Sequence, residues 1–124
     1  MDSTDSPAAN GGKPKHDLEE RTALFGEAVI RFAKPLPKNK ICKPLISQVV
    51  RSATSIGANY AEADDAVSGK EFKNKIATCK KEARETKHWL RMIATADESS
   101  KEEGRRLWRE AKELHLIFAK IWRS

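Results

Sequence analysis

The sequence contains no long apolar run, and this absence narrows the class of protein. A membrane-spanning helix needs about 18 uncharged apolar residues in a row, and no segment of the 124 residues approaches that length. The stretch from Met1 to Lys15 has no apolar core, so we expect no secretory signal there. Only two cysteines occur, Cys42 and Cys79, and they belong to no metal-ligand spacing. We therefore expect reduced thiols in a cytoplasmic protein rather than a disulfide.

The period-two alternation of apolar and polar residues is also missing, which argues against a β-sheet. The chain instead has 34% charged and 39% apolar residues, and its apolar residues recur at helical spacing in four segments. Because short turns separate these segments, the pattern predicts an all-α protein, an antiparallel up-down four-helix bundle over residues 17–124. Residues 1–16 are rich in serine, proline, glycine and lysine, and we expect a disordered N-terminal tail.

Capping residues and prolines set the expected helix ends. The first helix starts at Asp17 and stops before Pro35. The second opens near Pro44, which the first turn of a helix tolerates, and runs to about residue 65. Ser68 and Glu71 form a capping box for the third helix, which runs to about residue 96. A serine at position 99 or 100 is expected to cap the fourth.

Each segment carries one apolar stripe, and we expect the four stripes to meet in a shared core. The predicted core residues are Leu18, Thr22, Phe25, Val29, Phe32, Leu45, Ile46, Val49, Val50, Ala53, Ile56, Tyr60, Phe72, Ile76, Cys79, Ala83, Thr86, Leu90, Ile93, Leu107, Ala111, Leu114, Phe118 and Ile121. The second helix also carries small residues, Ser52, Gly57, Ala58 and Ala61, which predict close packing on a neighbour.

A row of polar residues lies on the flank of the second helix. At about 100° per residue, this row contains Gln48, Arg51, Ser55, Asn59 and Glu62. The row could line a pore or bind a ligand in an assembled oligomer. Alternatively, Arg51 and Glu62 are neutralised by charged partners, while Ser55 and Asn59 bond to the backbone of an adjacent helix. Small polar residues on a helix flank usually serve packing, which favours the structural interpretation.

Five cations of the third helix occupy one side of it, and we call them the basic stripe: Lys73, Lys80, Arg84, Lys87 and Arg91. At 1.5 Å per residue the stripe is roughly 27 Å long. A phosphate backbone would relieve the repulsion between these cations, and the release of its counterions would drive binding. The alternative is a solvated face whose lysines shield apolar flanks. No aromatic residue interleaves with the stripe, so neither base stacking nor sequence-specific readout is expected.

A different face of the third helix predicts a contact between subunits, with an acidic edge meeting a basic edge of the fourth helix. The predicted interface residues are Glu82, Glu85, Trp89, Arg105, Arg106, Arg109 and Leu116. Trp89 and Leu116 would be exposed apolar groups at such a contact. The alternative is a set of ion pairs within one chain, each of which contributes little.

Catalytic constellations are absent. Ser55 has no histidine at helical spacing, and His16, His88 and His115 are isolated in the sequence. A carboxylate-bridged di-metal bundle needs paired Glu-x-x-His motifs on core faces. Only Glu85 and His88 have that spacing, once and on the polar side. We therefore expect no enzyme activity, no catalytic or metal-ligating residue and no cofactor.

Five sequence blocks, in order, carry a resemblance to a known family. They are Leu18-Glu19-Glu20-Arg21-Thr22, Leu36-Pro37-Lys38, RSATSIGANYAEA from residue 51, Glu71-Phe72 with Lys75-Ile76, and Lys81-Glu82-Ala83-Arg84-Glu85-Thr86 with Trp89-Leu90. Over about residues 17–123 the chain resembles the four-helix-bundle family of 23S rRNA intervening-sequence proteins. One departure occurs after Asn59: many members read Ala-Glu-Gly where this chain has Tyr60-Ala61-Glu62-Ala63, in agreement with a sub-branch of the family.

The resemblance implies a four-helix up-down fold, assembly into a ring-like homopentamer and no established enzyme activity. It marks Arg51, Ser55, Asn59, Tyr60 and Glu62 as residues of the family motif. It further implies a link to nucleic acid, because a related bundle is the accessory subunit of reverse transcriptases in diversity-generating retroelements and binds nucleic acid through a basic surface.

Two functions therefore remain open. The first is a homo-oligomeric accessory protein whose basic stripe binds RNA or DNA backbone without sequence preference, as a net charge of +6 favours. The second is a protein-interaction scaffold or accessory subunit that needs no nucleic acid.

Overall fold

The computed structural model describes residues 14–124, with side chains from Leu18 onward. Four helices make up most of this part: α1 (Pro14–Ala33), α2 (Cys42–Asp64), α3 (Gly69–Ala96) and α4 (Lys101–Arg123). A 3-10 turn, Glu98–Ser100, precedes α4. Residues 14–124 include no β-strand, which confirms the all-α prediction. No helix in the described part is both long and apolar enough to cross a membrane.

The start of α1 differs from the prediction. The helix begins at Pro14 rather than at Asp17. Proline fits the first turn of a helix because the N–H that it lacks has no partner there. Residues 14–16, predicted to belong to the disordered tail, are therefore helical. Residues 1–13, the rest of that tail, lie outside the described residues.

Local capping bonds mark the starts of α3 and α2. Ser68 caps α3 as expected, because its hydroxyl accepts a hydrogen bond from the Glu71 N–H at 3.1 Å. The start of α2 depends on Asn39, which the sequence analysis missed. The Asn39 side-chain oxygen accepts from the N–H groups of Ile41 at 3.0 Å and Cys42 at 2.8 Å. Asn39 thus satisfies free donors at the helix start, as a capping residue does.

The expected cap of the fourth helix is wrong. Neither Ser99 nor Ser100 makes a side-chain hydrogen bond to the N–H groups of α4. The Ser100 hydroxyl donates to the Asp97 carbonyl at 2.7 Å, and the Ser99 hydroxyl donates to the Asp97 carboxylate at 3.0 Å. Both hydroxyls are used within the 3-10 turn, which competes with capping.

The four apolar stripes meet in one core, as the periodicity predicted. Most of the predicted core residues are buried, and the partly buried ones are Leu45, Ile46, Val50, Phe72 and Ile121. Burial of each large apolar side chain contributes about 1.5–3 kcal/mol, so this core is the main source of stability. Cys42 and Cys79 are free and buried within it. Burial raises the pKa of the Cys79 thiol to about 12.

Small residues let α2 approach α1 closely at one point. A Cβ added at Gly57 would lie 3.3 Å from the Thr22 hydroxyl. One added at Gly26 would lie 3.6 Å from Thr54. Residues that come later in α1 therefore contact residues that come earlier in α2. Gly57 meets the expectation of close packing, whereas Ala58 and Ala61 are exposed.

A buried polar contact joins α2 to α3. The hydroxyls of Ser52 and Thr86 are 2.8 Å apart and both residues are fully buried. The Thr86 hydroxyl is also 2.8 Å from the Glu82 carbonyl. Hydrogen bonding satisfies two hydroxyls that the core would otherwise leave unpaired.

Replacing Thr86 with valine is expected to destabilise the protein by about 1 kcal/mol, because the buried Ser52 hydroxyl loses its close partner. Thr95→Val is the matched control, since Thr95 is exposed and makes a similar bond to the carbonyl four residues earlier. Urea denaturation measures both. Equal stability of the two variants would contradict a contribution from the buried pair.

Candidate nucleic-acid interface

Arg51 of α2 binds both acidic residues of the adjacent flank of α3. Its guanidinium lies 3.1 Å from a Glu82 carboxylate oxygen and 2.6 Å from one of Glu85. Gln48 accepts a third hydrogen bond from Arg51 at 3.1 Å. Glu82 is only 8% exposed, so it depends on this partner. The structure thus uses Glu82 and Glu85 within the chain, the alternative that the sequence left open.

The rest of the polar row on α2 is also used within the chain. Glu62 pairs with Lys75 of α3 at 2.6 Å. Asn59 donates from its amide to the Ser55 carbonyl at 2.9 Å. This bond lies within α2, so the expected bond to an adjacent helix is wrong for Asn59, whose short side chain reaches the carbonyl four residues earlier. Tyr60 is buried in the core. These contacts all lie within the chain and agree with the structural interpretation of the polar row.

The basic stripe lies on the flank of α3 that faces α4. Lys73, Arg84 and Arg91 are exposed, while Lys80 and Lys87 are half-buried. None of the five forms an ion pair with a carboxylate among residues 18–124. The two flanks of α3 therefore differ: Glu82 and Glu85 on the acidic flank pair with Arg51 of α2, whereas the basic stripe has no carboxylate partner in the described part of the chain.

Aromatic residues of α4 lie beside the basic stripe, contrary to the expectation from the sequence. We call Trp108, His115 and Trp122 the aromatic row. The ammonium of Lys80 is 4.6 Å from the ring centre of Trp122, and that of Lys87 is 5.4 Å from the ring centre of Trp108. Such cation–π contacts are worth about 0.5–1 kcal/mol each at exposed sites.

The expectation failed because it considered α3 alone. The aromatic row comes from the neighbouring helix, at intervals of seven residues. Seven residues are close to two helical turns, so these three side chains follow one line along α4. That spacing is the signal by which the sequence could have indicated the row.

His115 lies in a cationic environment that disfavours its charged form. Burial lowers its pKa, and the charges of Lys87, Lys80 and Arg84 lower it further. The imidazole is therefore neutral at pH 7. An anion bound on the stripe would offset the repulsion from these cations.

We call the surface between the basic stripe and the aromatic row the groove between α3 and α4. A cavity of about 490 Å³ continues this groove toward the start of α4. Leu90, Ala94 and Trp108 supply apolar walls. Its four cationic lining residues are Arg91, Lys101, Arg105 and Arg109. None of these four pairs with a carboxylate within the described part of the chain. Arg91 and Trp108 belong to both the groove and the cavity, so the two form one continuous surface.

The remaining predicted interface residues are in varied environments. Leu116 is 50% exposed, whereas Trp89 is half-buried and packs against the core. The expectation of an exposed indole at Trp89 is therefore wrong, because its ring covers apolar side chains. Arg105 and Arg109 are exposed, and Arg106 lies 3.8 Å from Glu103. Within one chain, the acidic edge has Arg51 as its partner.

No group of three or more histidine, cysteine or acidic side chains that could hold a metal occurs in the described residues. His88 contacts the Trp89 ring edge-on, at 4.9 Å between ring centres. The side chain of His16 lies outside the described part.

Comparison with known proteins identifies the family. The model of the family described as "23S rRNA-intervening sequence protein" matches residues 15–120, so the chain belongs to that family. A crystal structure of a protein of unknown function from the S23 ribosomal protein family of Bacteroides thetaiotaomicron is similar, with a TM-score of 0.79 and 28% identity. The match covers 89% of this chain and 98% of that one. No curated protein matches.

Replacing Arg51 with methionine is expected to lower the free energy of unfolding by about 1–2 kcal/mol. Methionine keeps most of the packing but leaves the nearly buried Glu82 carboxylate without its cation. The expected loss of stability lies between the cost of breaking a surface ion pair and that of breaking a buried one. Adding Glu82→Gln should restore part of the loss. Denaturation of the single and double variants measures this coupling, and strictly additive effects would contradict it.

The lowered pKa of His115 predicts a pH effect on stability. Below about pH 6.5, the ordinary histidine value, the unfolded state binds a proton that the folded state resists. Stability should therefore be complete above that pH and fall as the pH drops through it. Denaturation at pH 7.5 and pH 5 should show a smaller difference for His115→Gln than for the unchanged protein. His88→Gln is the control for the loss of a surface imidazole. An equal stability difference between the two pH values in both variants would contradict the assignment of the pH effect to His115.

Proposed function

We propose that this member of the 23S rRNA-intervening sequence protein family is a non-enzymatic, homo-oligomeric accessory protein that holds the backbone of RNA or DNA on its basic stripe, without sequence preference. The observation that carries the proposal is the unbalanced charge of α3. On α3, Glu82 and Glu85 pair with Arg51, while Lys73, Lys80, Arg84, Lys87 and Arg91 have no carboxylate partner among residues 18–124.

Electrostatics favours a polyanionic partner for this surface. The stripe is roughly 27 Å long, comparable with the separation of several phosphates along a strand. Each phosphate that a lysine or arginine neutralises releases condensed counterions, and this release drives binding. Phosphate contacts position the nucleic acid but do not read its sequence, which is why we propose no sequence preference.

The proposal includes an antiparallel up-down bundle that assembles into a ring-like homopentamer. Two contacts in each neighbouring helix pair support alternating helix directions, because residues later in one helix contact residues earlier in the next. These contacts are Thr22 with Gly57 and Gly26 with Thr54, Arg51 with Glu85 and Glu62 with Lys75, and Lys80 with Trp122 and Lys87 with Trp108. A surface groove between α1 and α2, of about 370 Å³, supports self-association. Ile30 of α1, an apolar residue that is 40% exposed, lines this groove. Around a ring the stripe would repeat, and the repeats would bind one polymer together.

The cysteines support a reducing compartment, and we place the protein in the cytoplasm. Cys42 and Cys79 are free thiols in the core, and neither serves as a cross-link. An oxidising compartment would not favour such a pair.

A second function is favoured by the same groove between α1 and α2. Its small residues, among them Gly26, Thr54 and Ala58, form a shallow apolar surface that a partner protein could cover. A scaffold of this kind would bind no nucleic acid. The salt titration described next distinguishes the two functions.

Binding of labelled RNA and duplex DNA at increasing salt tests the proposal. We expect affinity to fall steeply with salt, with a logarithmic slope near 0.9 per phosphate contact on duplex DNA. The double variant Lys80→Glu and Arg84→Glu should bind more weakly and reduce that slope by about 2, because two contacts are lost.

The matched control is Arg31→Glu with Lys34→Glu, which makes the same change of net charge at two exposed cations, one near the end of α1 and one just after it. It should retain most of the slope. Equal effects of the two double variants would show that only net charge matters and would remove the stripe from the proposal. No binding of either polymer at low salt would favour the scaffold.

A further inference from the structure

The groove between α3 and α4 combines two chemical features that duplex binding alone does not need. The basic stripe supplies cations, and the aromatic row supplies rings beside them. Trp122 is 39% exposed, although it is a large apolar side chain, and Lys73 and Lys80 lie 5.5 Å and 4.6 Å from its ring centre. A duplex offers phosphates to such a groove but keeps the faces of its bases stacked inside.

We propose that this groove binds single-stranded nucleic acid in preference to duplex, with phosphates on the basic stripe, one base stacked on Trp122 and another in the cavity beside Trp108. The inference rests on the proposed function and adds the strand class and the residues that select it. Proteins that bind single strands combine a cationic groove with aromatic platforms, because every unpaired base has a π-face.

The lysines on Trp122 can release the ring without losing a favourable contact. In the free protein their ammonium groups interact with the ring, and no carboxylate among residues 18–124 holds them. When a base takes the ring face, the adjacent phosphate takes the ammonium. Both groups then keep a partner of suitable charge, and the long lysine side chain allows the change.

The cavity beside Trp108 has the size and chemistry for an unstacked nucleotide. Its volume of about 490 Å³ exceeds that of one base, and its apolar walls include Leu90 and Ala94. Arg91, Lys101 and Arg105 stand around it without a carboxylate among the lining residues. An apolar floor with a cationic rim suits a flat ring that carries a phosphate. Since Arg91 is also the last cation of the stripe, a strand on the stripe leads into the cavity.

Fluorescence anisotropy with a labelled mixed-sequence strand of about 12 nucleotides, within the range of single-strand sites, tests the proposal against the same sequence as a duplex. The unchanged protein should bind the single strand more tightly at equal salt. Trp122→Leu should weaken single-strand binding about tenfold and leave duplex binding unchanged. Trp122→Phe, which retains a ring face, should keep most of the preference.

The cavity has its own pair of variants. Arg105→Ser with Arg109→Ser changes two exposed residues and should weaken single-strand binding more than the charge-matched control, Arg31→Ser with Lys34→Ser. Far-UV circular dichroism checks that all variants fold. Equal weakening by the two pairs would remove the cavity from the site.

The outcomes separate this inference from the proposed function. If both polymers bind equally, and Trp122→Leu affects neither or weakens both alike, the stripe remains a backbone-binding surface and the inference is overturned. If neither polymer binds at low salt, the proposed function fails as well. Quenching of tryptophan fluorescence by the single strand, reduced in Trp122→Leu, would provide independent support.

Discussion

The ion pairs of Arg51 determine how charge is distributed over this protein. Its guanidinium lies between Glu82 and Glu85, at 3.1 Å and 2.6 Å, and so provides both carboxylates of α3 with a cationic partner from α2. A nearly buried carboxylate such as Glu82 needs a partner, since an unpaired charge at that depth is costly. Glu82 and Glu85 are held against α2, while the basic stripe lies on the side of α4 and pairs with no carboxylate among residues 18–124. The surface that we propose for nucleic acid lies on the other flank of α3, beside α4.

Close packing fixes the orientation that the ion pairs require. Ser52 and Gly57 are small enough for α2 to approach α3 and α1, and the buried contact of Ser52 with Thr86 joins two helices at a defined point. Interiors packed at this density resist sliding or rotation of one helix against another. The flank of α3 that faces solvent is therefore set by core packing, and the positions of its cations follow. Membership of the family and the similarity to a solved structure of unknown function describe the fold. The function depends on the side chains that the fold presents.

Much of the fold and part of the candidate site could be predicted from the sequence. The apolar periodicity located the core stripes and the basic stripe, because residue positions around a helix depend only on its regular geometry. Ser68 was predicted as a cap because its bond is formed within four residues. The role of Asn39 was missed, although its bonds are equally local, because the helix was expected to start near Pro44 rather than at Cys42. The capping role expected for Ser100 was wrong because a competing bond to Asp97 used its hydroxyl.

The sequence by itself determined which residues are helical, which sides of the helices are apolar and where the cations of α3 lie. Tertiary structure decided which side chains of other helices lie next to these cations. Trp108 and Trp122 are distant from the basic stripe in sequence, and their position next to Lys87 and Lys80 depends on how α4 is rotated about its axis as it packs on α3. That rotation results from the fit of all four helices around one core, a cooperative property that no local pattern contains. For the same reason Glu82, polar in the sequence pattern, is nearly buried in the folded chain.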